Sequence, residues 1–240
     1  MTLGKVVAID GPSGAGKSSV GRALARALGF QYLDTGALYR ATALALLGRG
    51  ISPDAGDEEI KAAFEAGVRI EFRDGRVFLD GKDVSDEIRT KEAGHYSSVF
   101  SARGPVREFL LPLQRKMGRE TDLVAEGRDM TTVVFPRAWK KFYLDASPEE
   151  RARRRYEQSK AAGMKVTRKD ATEDVSLRDS RDSSRKLAPL KRSKGAVYLD
   201  TTDLSMDEVI ERMLSAMEGL PPKDSQGSQG SQPSQGSERG

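Results

Sequence analysis

Residues 11–18, with the sequence G-P-S-G-A-G-K-S, have the residue types and spacing of a phosphate-binding loop. A buried strand is predicted before this loop, over residues 5–10, and a helix is predicted to begin at Lys17. The glycines let backbone N–H groups converge on a phosphate, and the positive end of the helix points at the same place. Lys17 is expected to reach the β- and γ-phosphates of a nucleoside triphosphate, and the Ser18 hydroxyl to bind Mg²⁺. The residues expected to contact ATP are Gly11, Pro12, Ser13, Gly14, Ala15, Gly16, Lys17, Ser18 and Ser19.

A second group of chemically useful side chains lies near the other end of the chain. Arg178, Arg181, Asp182 and Arg185 occur at positions i, i+3, i+4 and i+7, which places three guanidinium groups on one face of a helix. These like charges repel one another unless an anion neutralises them, and arginine binds phosphate oxygens in a bidentate manner. The alternative is a solvated helix in which the same arginines pair with neighbouring aspartates.

The elements that must position these residues alternate along the chain in the manner of βαβ units. The sequence therefore predicts an α/β fold of the phosphate-loop NTPase type, with five parallel strands wrapped by helices. The strands are expected at residues 5–10, 32–34, 123–125, 140–144 and 196–199. Helix starts are indicated by capping residues at Asp34, Ser147 and Ser205. The helices are expected at residues 17–28, 36–47, 91–119 with a break near Gly104 and Pro105, from 148 onward, and from 205 to about 219.

Residues 54–84 break this alternation and predict an inserted antiparallel lobe. A helix is expected near residues 58–66, followed by strands at 68–72 and 76–79. Asp74 and Gly75 join the two strands, and this dipeptide is a strong signal for a tight hairpin.

Composition narrows the classes of protein that fit. The 240 residues are 37% hydrophobic and contain no cysteine, which excludes disulfides and thiolate metal sites. No signal peptide or long apolar run is evident, so we expect a cytoplasmic protein without a membrane partner. A net charge of only +4 with 32% charged residues favours local arginine clusters over a nucleic-acid-binding surface. Residues 221–240 consist largely of Ser, Gln and Gly, which predicts a disordered tail.

A phosphate loop alone leaves the acceptor of the phosphoryl group open, because GTPases, ATP-driven motors and small-molecule kinases share it. A GTPase would need an N-K-x-D motif to read guanine, and the chain contains no asparagine. It is also short for a motor ATPase. A compact kinase is therefore favoured.

Three further segments resemble the bacterial cytidylate kinases, a family of nucleoside monophosphate kinases. They are residues 34–40 (D-T-G-A-L-Y-R), 125–130 (A-E-G-R-D-M) and 178–185 (R-D-S-R-D-S-S-R). The likeness extends from about residue 5 to 216. It implies a kinase domain over residues 1–220, with an insert at about 54–104 that binds nucleotide and a helical lid at about 151–186.

The resemblance also implies roles for individual residues. Ser98, Arg107 and Asp129 would contact the cytosine edge, Arg178 and Asp182 the ribose, and Arg40, Arg128 and Arg185 the monophosphate. Thr35 and Tyr39 are also expected at the substrate site, and Lys17, Arg128 and Arg185 are the expected catalytic residues. Glu126 would orient either a magnesium-bound water or an arginine.

The chain departs from the family pattern in three places. Ser18 and Ser19 replace the commoner ending with a final threonine, a change that keeps the metal-binding hydroxyl at Ser18. Thr131 stands where glycine is usual, which suggests a less permissive backbone after Asp129. Ser97 and Ser101 lie close to Ser98, so the serine that meets cytosine is not unique.

The reaction that the resemblance implies is transfer of the γ-phosphoryl group of MgATP to CMP or dCMP by a monomer. No protein base is required, because a nucleotide monophosphate with a second pKa of about 6 already carries the nucleophilic charge. Two alternatives stay open: a kinase for another small acceptor, such as UMP or shikimate, and an ATP-dependent nucleic-acid-binding module.

Overall fold

The computed structural model describes residues 4–73 and 75–218, which form eight strands and eight α-helices. The strands are β1 (Val6–Asp10), β2 (Gln31–Asp34), β3 (Ile70–Arg73), β4 (Arg76–Leu79), β5 (Lys82–Asp83), β6 (Leu123–Glu126), β7 (Lys140–Asp145) and β8 (Val197–Asp200). The helices are α1 (Lys17–Leu28), α2 (Thr35–Gly48), α3 (Asp57–Glu65), α4 (Lys91–Phe100), α5 (Gly104–Glu120), α6 (Pro148–Ala161), α7 (Arg168–Ser184) and α8 (Met206–Glu218).

The central sheet has five parallel strands in the order β2-β6-β1-β7-β8, which confirms the predicted architecture. β1 lies in the middle and is buried along its whole length because helices cover both faces of the sheet. Its residues alternate between two apolar cores. Val6 and Ala8 pack on the side of α2 and α5, whereas Val7 and Ile9 pack on the side of α1 and α8.

The carboxyl ends of these strands meet at one edge of the sheet, where open α/β sheets bind ligands. Each strand ends in an acidic residue, and the pairing register brings Asp34 of β2 opposite Glu126 of β6. The edge therefore carries polar groups that need partners.

The predicted antiparallel lobe is present as a separate sheet in the order β3-β4-β5. Arg73 pairs with Arg76 across the expected hairpin, and Gly75 has a φ of +74°, whereas Asp74 lies outside the described residues. Val77 and Val84 of this lobe share one apolar core with Leu46 of α2. The lobe is thereby packed onto the helices beside the main sheet.

The helix ends follow the capping signals. The hydroxyl of Ser147 accepts a hydrogen bond from the N–H of Glu150, Asp34 caps α2, and Ser205 and Glu208 bond each other at the start of α8. The break near Gly104 separates α4 from α5 as predicted. The predicted tail at residues 221–240 lies outside the described residues. Within the described part of the chain, no helix has the length and apolar character needed to cross a membrane.

Candidate nucleotide-binding site

A cavity of about 630 Å³ opens at the carboxyl edge of the central sheet. The first turns of α1 and α2, the loop after β6, and helices α4 and α7 form much of its wall. The small β3–β5 lobe, α5 and α6 also contribute residues to it. The predicted residues that line it are Ser13, Gly14, Gly16, Lys17, Ser18, Ser19, Thr35, Tyr39, Arg40, Ser98, Arg107, Arg128, Asp129, Arg178, Asp182 and Arg185. Gly11, Pro12 and Ala15 are buried in the phosphate loop and do not line the cavity.

The phosphate loop requires glycine where the backbone is strained and space is absent. Gly11 has a φ of +151°, and a Cβ there would lie 1.9 Å from the carbonyl oxygen of Leu144. Gly14 has a φ of +79°, and a Cβ would lie 2.6 Å from the carbonyl oxygen of Arg151. Strand β7 and helix α6 therefore hold the loop from behind.

Lys17 is 5% exposed, and its ammonium group donates to the carbonyl oxygen of Pro12 at 2.6 Å. Burial and, to a smaller extent, the positive charge of Arg128 lower the pKa of Lys17 to about 7, against the opposing effect of Glu126 and Asp182. The group is thus held in the loop with a neutral partner. An anion in the cavity would favour its charged form.

Asp10 anchors the loop that follows β6. Its buried carboxylate accepts hydrogen bonds from the N–H groups of Met130 and Thr131, both at 2.8 Å, and from the Thr131 hydroxyl at 2.6 Å. Burial raises the pKa of Asp10, although these three bonds oppose the shift. The threonine that replaces the usual glycine adopts no positive φ and adds a hydrogen bond to this anchor.

Arg128 and Arg185 are held by the same carboxylate. Asp182 accepts from Arg128 Nε at 2.7 Å and from Arg185 Nη1 at 3.4 Å. Burial alone would raise the pKa of Asp182, but the charges of the two arginines bring it below its usual value. Across the cavity, Arg40 Nη2 lies 3.1 Å from an oxygen of Asp34.

Two guanidinium atoms in this cluster, Arg40 Nε and Arg185 Nη2, are buried and have no hydrogen-bond partner among the described residues. A buried donor without a partner is costly, and a phosphate oxygen is a suitable acceptor for a guanidinium group. Both side chains line the cavity. The arrangement suits an anion with several oxygens.

Arg107 and Asp129 form a buried ion pair at the far wall of the cavity. Arg107 also donates to the carbonyl oxygen of Ser101 at 2.9 Å, and its guanidinium carbon lies 5.6 Å from the ring centre of Tyr39. Burial raises the pKa of Tyr39 to about 12, so its hydroxyl remains protonated. Ser97, Ser98 and Ser101 all line the cavity, so the structure leaves the choice among these serines open.

The family model described as cytidylate kinase matches residues 7–219. A cytidylate kinase of Thermodesulfovibrio yellowstonii is 54% identical over 214 residues, covering 88% of this chain and 96% of that protein. One of a Geobacter species is 50% identical over 214 residues, covering 88% of this chain and 91% of that protein. The chain belongs to the cytidylate kinase family. The resemblance of residues 34–40, 125–130 and 178–185 to this family is thereby confirmed.

An uncharacterized protein from Eubacterium ventriosum has a similar fold, with a TM-score of 0.52 and 11% identity. The match covers 89% of this chain and 98% of that chain. At this identity the likeness concerns the fold alone.

Helix α7 of this cytidylate kinase family member only partly meets the prediction of three arginines facing one ligand. Arg178 lines the cavity and pairs with Asp174 at 3.1 Å, whereas Arg181 does not line it. Arg185 lies one residue beyond the helix in extended backbone. The predicted alternative, in which arginines pair with aspartates, therefore also describes part of this helix.

The arginine-rich segment at the start of α6 does not act as one unit. Arg151 is buried beneath the phosphate loop, Arg154 bonds Thr201 at the end of β8, and Arg153 pairs with Glu150 on the exposed face. Only Arg154 and Arg155 of these arginines line the cavity. Movement of residues 151–186 as a lid stays a prediction.

Several residues of the site have no counterpart in the sequence predictions. Asp10 is the last residue of β1, and this position next to the phosphate loop was a usable signal. Arg89 lies on the cavity wall, and Asp179 contacts the phosphate loop, but neither contact follows from a local pattern.

The candidate metal ligands at this edge are oxygen atoms. Ser18 and Glu126 both line the cavity, and the Glu126 carboxylate accepts a hydrogen bond from the Tyr32 hydroxyl at 2.7 Å. Within residues 4–73 and 75–218 no group of three or more acidic, histidine or cysteine side chains could hold a metal by itself. This donor set fits a hard cation such as Mg²⁺ that also takes ligands from water and substrate phosphates.

Proposed function

We propose that this protein transfers the γ-phosphoryl group of ATP to CMP or dCMP, giving ADP and CDP or dCDP. The observation that carries the proposal is that one cavity is lined both by the phosphate loop and by Arg40, Arg128, Arg185 and the Arg107–Asp129 pair. Named relatives at 54% and 50% identity over most of the chain support the same reaction.

The donor nucleotide occupies the phosphate loop. Backbone N–H groups of residues 14–19 hold its phosphates, and the Lys17 ammonium exchanges the Pro12 carbonyl for the β- and γ-phosphates. Because Lys17 is buried, its charge is weakly screened as negative charge develops on the transferred group.

The Ser18 hydroxyl, and Glu126 through a water molecule, would hold Mg²⁺. When bound, this ion neutralises charge on the β- and γ-phosphates and helps to fix their geometry. The fit rests on the oxygen groups of Ser18 and Glu126 at the cavity wall.

Arg40, Arg128 and Arg185 bind the monophosphate of the acceptor. Arg40 Nε and Arg185 Nη2 supply donors that no group in the described part of the chain uses. Their charges offset the repulsion between two phosphorylated substrates and hold the attacking oxygen in line with the γ-phosphate. Lys17, Arg128 and Arg185 are accordingly the catalytic residues. No general base is needed, because the acceptor phosphate is already ionised near neutral pH.

Asp129, Arg107 and Ser98 read the base. The cytosine amino group donates to a carboxylate or hydroxyl oxygen, whereas its ring N3 and O2 accept from arginine. Uracil has a carbonyl oxygen in place of the amino group, so it would leave the buried Asp129 carboxylate facing an acceptor. Tyr39 and Thr35 complete the wall, and the Thr35 hydroxyl is fixed by its bond to the Glu126 carbonyl at 2.7 Å.

Arg178 and Asp182 bind the ribose hydroxyls in this proposal. Both line the cavity, and Asp174 holds Arg178 while Arg128 holds Asp182. The insert at about residues 54–104 and the segment at about 151–186 would close over the two nucleotides. Closure excludes water and so suppresses hydrolysis of ATP. All of these groups belong to a single chain, so a monomer suffices for the reaction.

The test is ADP release measured by a coupled assay with ATP, magnesium and a panel of acceptors: CMP, dCMP, UMP and shikimate. We expect CMP or dCMP to exceed UMP in kcat/KM by about 100-fold, which corresponds to the upper part of the cost of about 1–3 kcal/mol for leaving one buried polar group unpaired. Equal rates with UMP, or turnover of shikimate alone, would refute the proposal. Lys17→Ala serves as the control for a contaminating kinase.

A further inference from the structure

Asp179 of α7 joins the phosphate loop to the helix that carries acceptor-site residues. Its Oδ1 atom accepts a hydrogen bond from the backbone N–H of Ser13 at 3.1 Å. Its Oδ2 atom accepts from Nη1 of Arg151 on α6. One carboxylate therefore touches the donor loop and the buried arginine beneath it.

Arg151 completes the connection from below. Its Nη1 atom also donates to the carbonyl oxygen of Ser13 at 3.2 Å, and its Nε donates to the carbonyl oxygen of Ala146 at 3.0 Å. The side chain is 10% exposed, so these bonds are shielded from solvent. Because Gly14 packs against the backbone of Arg151, the loop has little room to shift relative to α6.

The next turn of α7 reaches the acceptor side. Asp182 lies three residues after Asp179, on a neighbouring part of the helix surface, and bonds Arg128 and Arg185. A helix is stiff over one turn, so displacement of Asp179 also displaces Asp182. The positions of Arg128 and Arg185 are thus linked to the phosphate loop through a short segment of α7.

The charge of this connection suits a site that receives phosphates. The guanidinium group of Arg151 neutralises Asp179, so a carboxylate can remain next to the phosphate loop without repelling ATP strongly. Loss of the carboxylate would leave the buried Arg151 with only its longer pair to Asp145, at 3.8 Å, and the Ser13 N–H without its acceptor.

We propose that Asp179 is a positioning residue that couples the donor and acceptor nucleotides, a role that rests on the proposed function of this site. Occupation of the phosphate loop fixes α7 through Asp179, and α7 then presents Asp182, Arg128 and Arg185 to the acceptor. Binding of one nucleotide consequently favours binding of the other. Asp179 itself touches neither substrate.

The experiment compares the unaltered protein with Asp179→Ala, Asp179→Asn and the control Glu173→Ala. Glu173 lies on the same helix and makes only a 3.9 Å pair with Lys169 between two exposed side chains. Isothermal titration calorimetry gives the Kd for CMP with and without saturating ADP, and steady-state kinetics give kcat and both KM values.

We expect ADP to tighten CMP binding by about fivefold or more in the unaltered protein and in Glu173→Ala, the lower end of usual coupling between sites. Asp179→Ala should reduce this factor to nearly one and raise the KM for CMP. The coupling factor of Asp179→Asn should lie between those of the unaltered protein and Asp179→Ala. The amide oxygen can still accept from Ser13 N–H, but the side chain carries no charge to pair with Arg151.

Three results would overturn the inference: no coupling in the unaltered protein, full coupling in Asp179→Ala, or a fall in kcat alone with both KM values and the coupling unchanged. The last result would indicate a smaller folded fraction and therefore a structural role only. If Asp179→Ala does not fold, the Asp179→Asn titration decides. Turnover of CMP by the unaltered protein tests the proposed function separately. If the unaltered protein is active and Asp179→Ala keeps full coupling, only the proposed role of Asp179 is refuted.

Discussion

The two sides of the cavity are built differently. The donor side is one continuous segment, residues 11–19, held by backbone geometry and by the strand and helix behind it. The acceptor side takes single residues from α2, α4, α5, α7 and the loop after β6. A local motif can therefore specify the first side, whereas the second exists only after the chain has folded.

The sides also differ in how their charges are satisfied. Arg40, Arg107, Arg128 and Arg185 on the acceptor side each contact a carboxylate. Lys17 on the donor side has a neutral carbonyl partner at 2.6 Å instead. The acceptor side is thus held in shape by its own ion pairs. On the donor side, a phosphate of ATP would be the first negatively charged group within hydrogen-bond distance of Lys17.

Substitution of Lys17 by alanine tests the donor side and should have the largest effect. We expect kcat to fall by about 100- to 1,000-fold with CMP and dCMP alike, because one preorganised charge at the transferred group is removed. Lys61→Ala, at an exposed position far from this loop in the sequence, is the control. A loss confined to one acceptor would contradict the division into two sides.

Substitution of Asp129 by alanine tests the acceptor side. The preference for CMP over UMP, as a ratio of kcat/KM values, should fall by about 10- to 100-fold, since the variant lacks the carboxylate that uracil would leave unpaired. A ratio is used because it does not depend on the folded fraction, which the loss of the partner of Arg107 can lower. An unchanged ratio would mean that other residues read the base.

The affinities for ATP and for CMP should depend differently on pH. Lys17 has a pKa of about 7 in the unliganded protein, and phosphate binding raises it, so ATP affinity should fall as pH rises above about 7. The steepest expected change is about tenfold per pH unit, and CMP affinity should change far less. Calorimetric titrations between pH 7 and 9 give both, and Lys17→Met should abolish the trend for ATP.

The lowered pKa of Lys17 also predicts how the free energy of unfolding changes with pH. Between about pH 7 and the usual lysine value of 10.5, the unfolded chain holds a proton that folded Lys17 has lost. The free energy of unfolding of the unliganded protein should therefore rise with pH relative to Lys17→Met in this range. Urea denaturation of both proteins at pH 7 and 9 measures the difference.

The smallest expected effect concerns Thr131, where the chain departs from its family. Thr131→Val removes the 2.6 Å bond to Asp10 and should cost about 1 kcal/mol, or about 2–4 °C in Tm. Thr132→Val is the matched control, because its hydroxyl makes only a 3.4 Å contact with the Asp129 carbonyl. Equal Tm values for the two variants would show that the Asp10 anchor does not need the threonine.

Much of the fold was accessible from the sequence because its signals are local. The alternation of apolar segments predicted the five parallel strands, and Ser147 and Ser205 marked helix starts that the structure confirms. The hairpin followed from two residues at 74–75. Each of these signals depends on the conformational preferences of a few neighbouring residues.

The sequence by itself determined the phosphate loop and the order of strands and helices, and its resemblance to a family named many of the residues that line the cavity. Only the tertiary structure decided that Arg151 lies beneath the loop, that Asp10 holds Thr131 across 121 positions, and that Asp179 reaches Ser13 across 166. The physical reason is that a buried charged group must find a partner wherever packing places one. Distance along the chain carries no information about which partner that is.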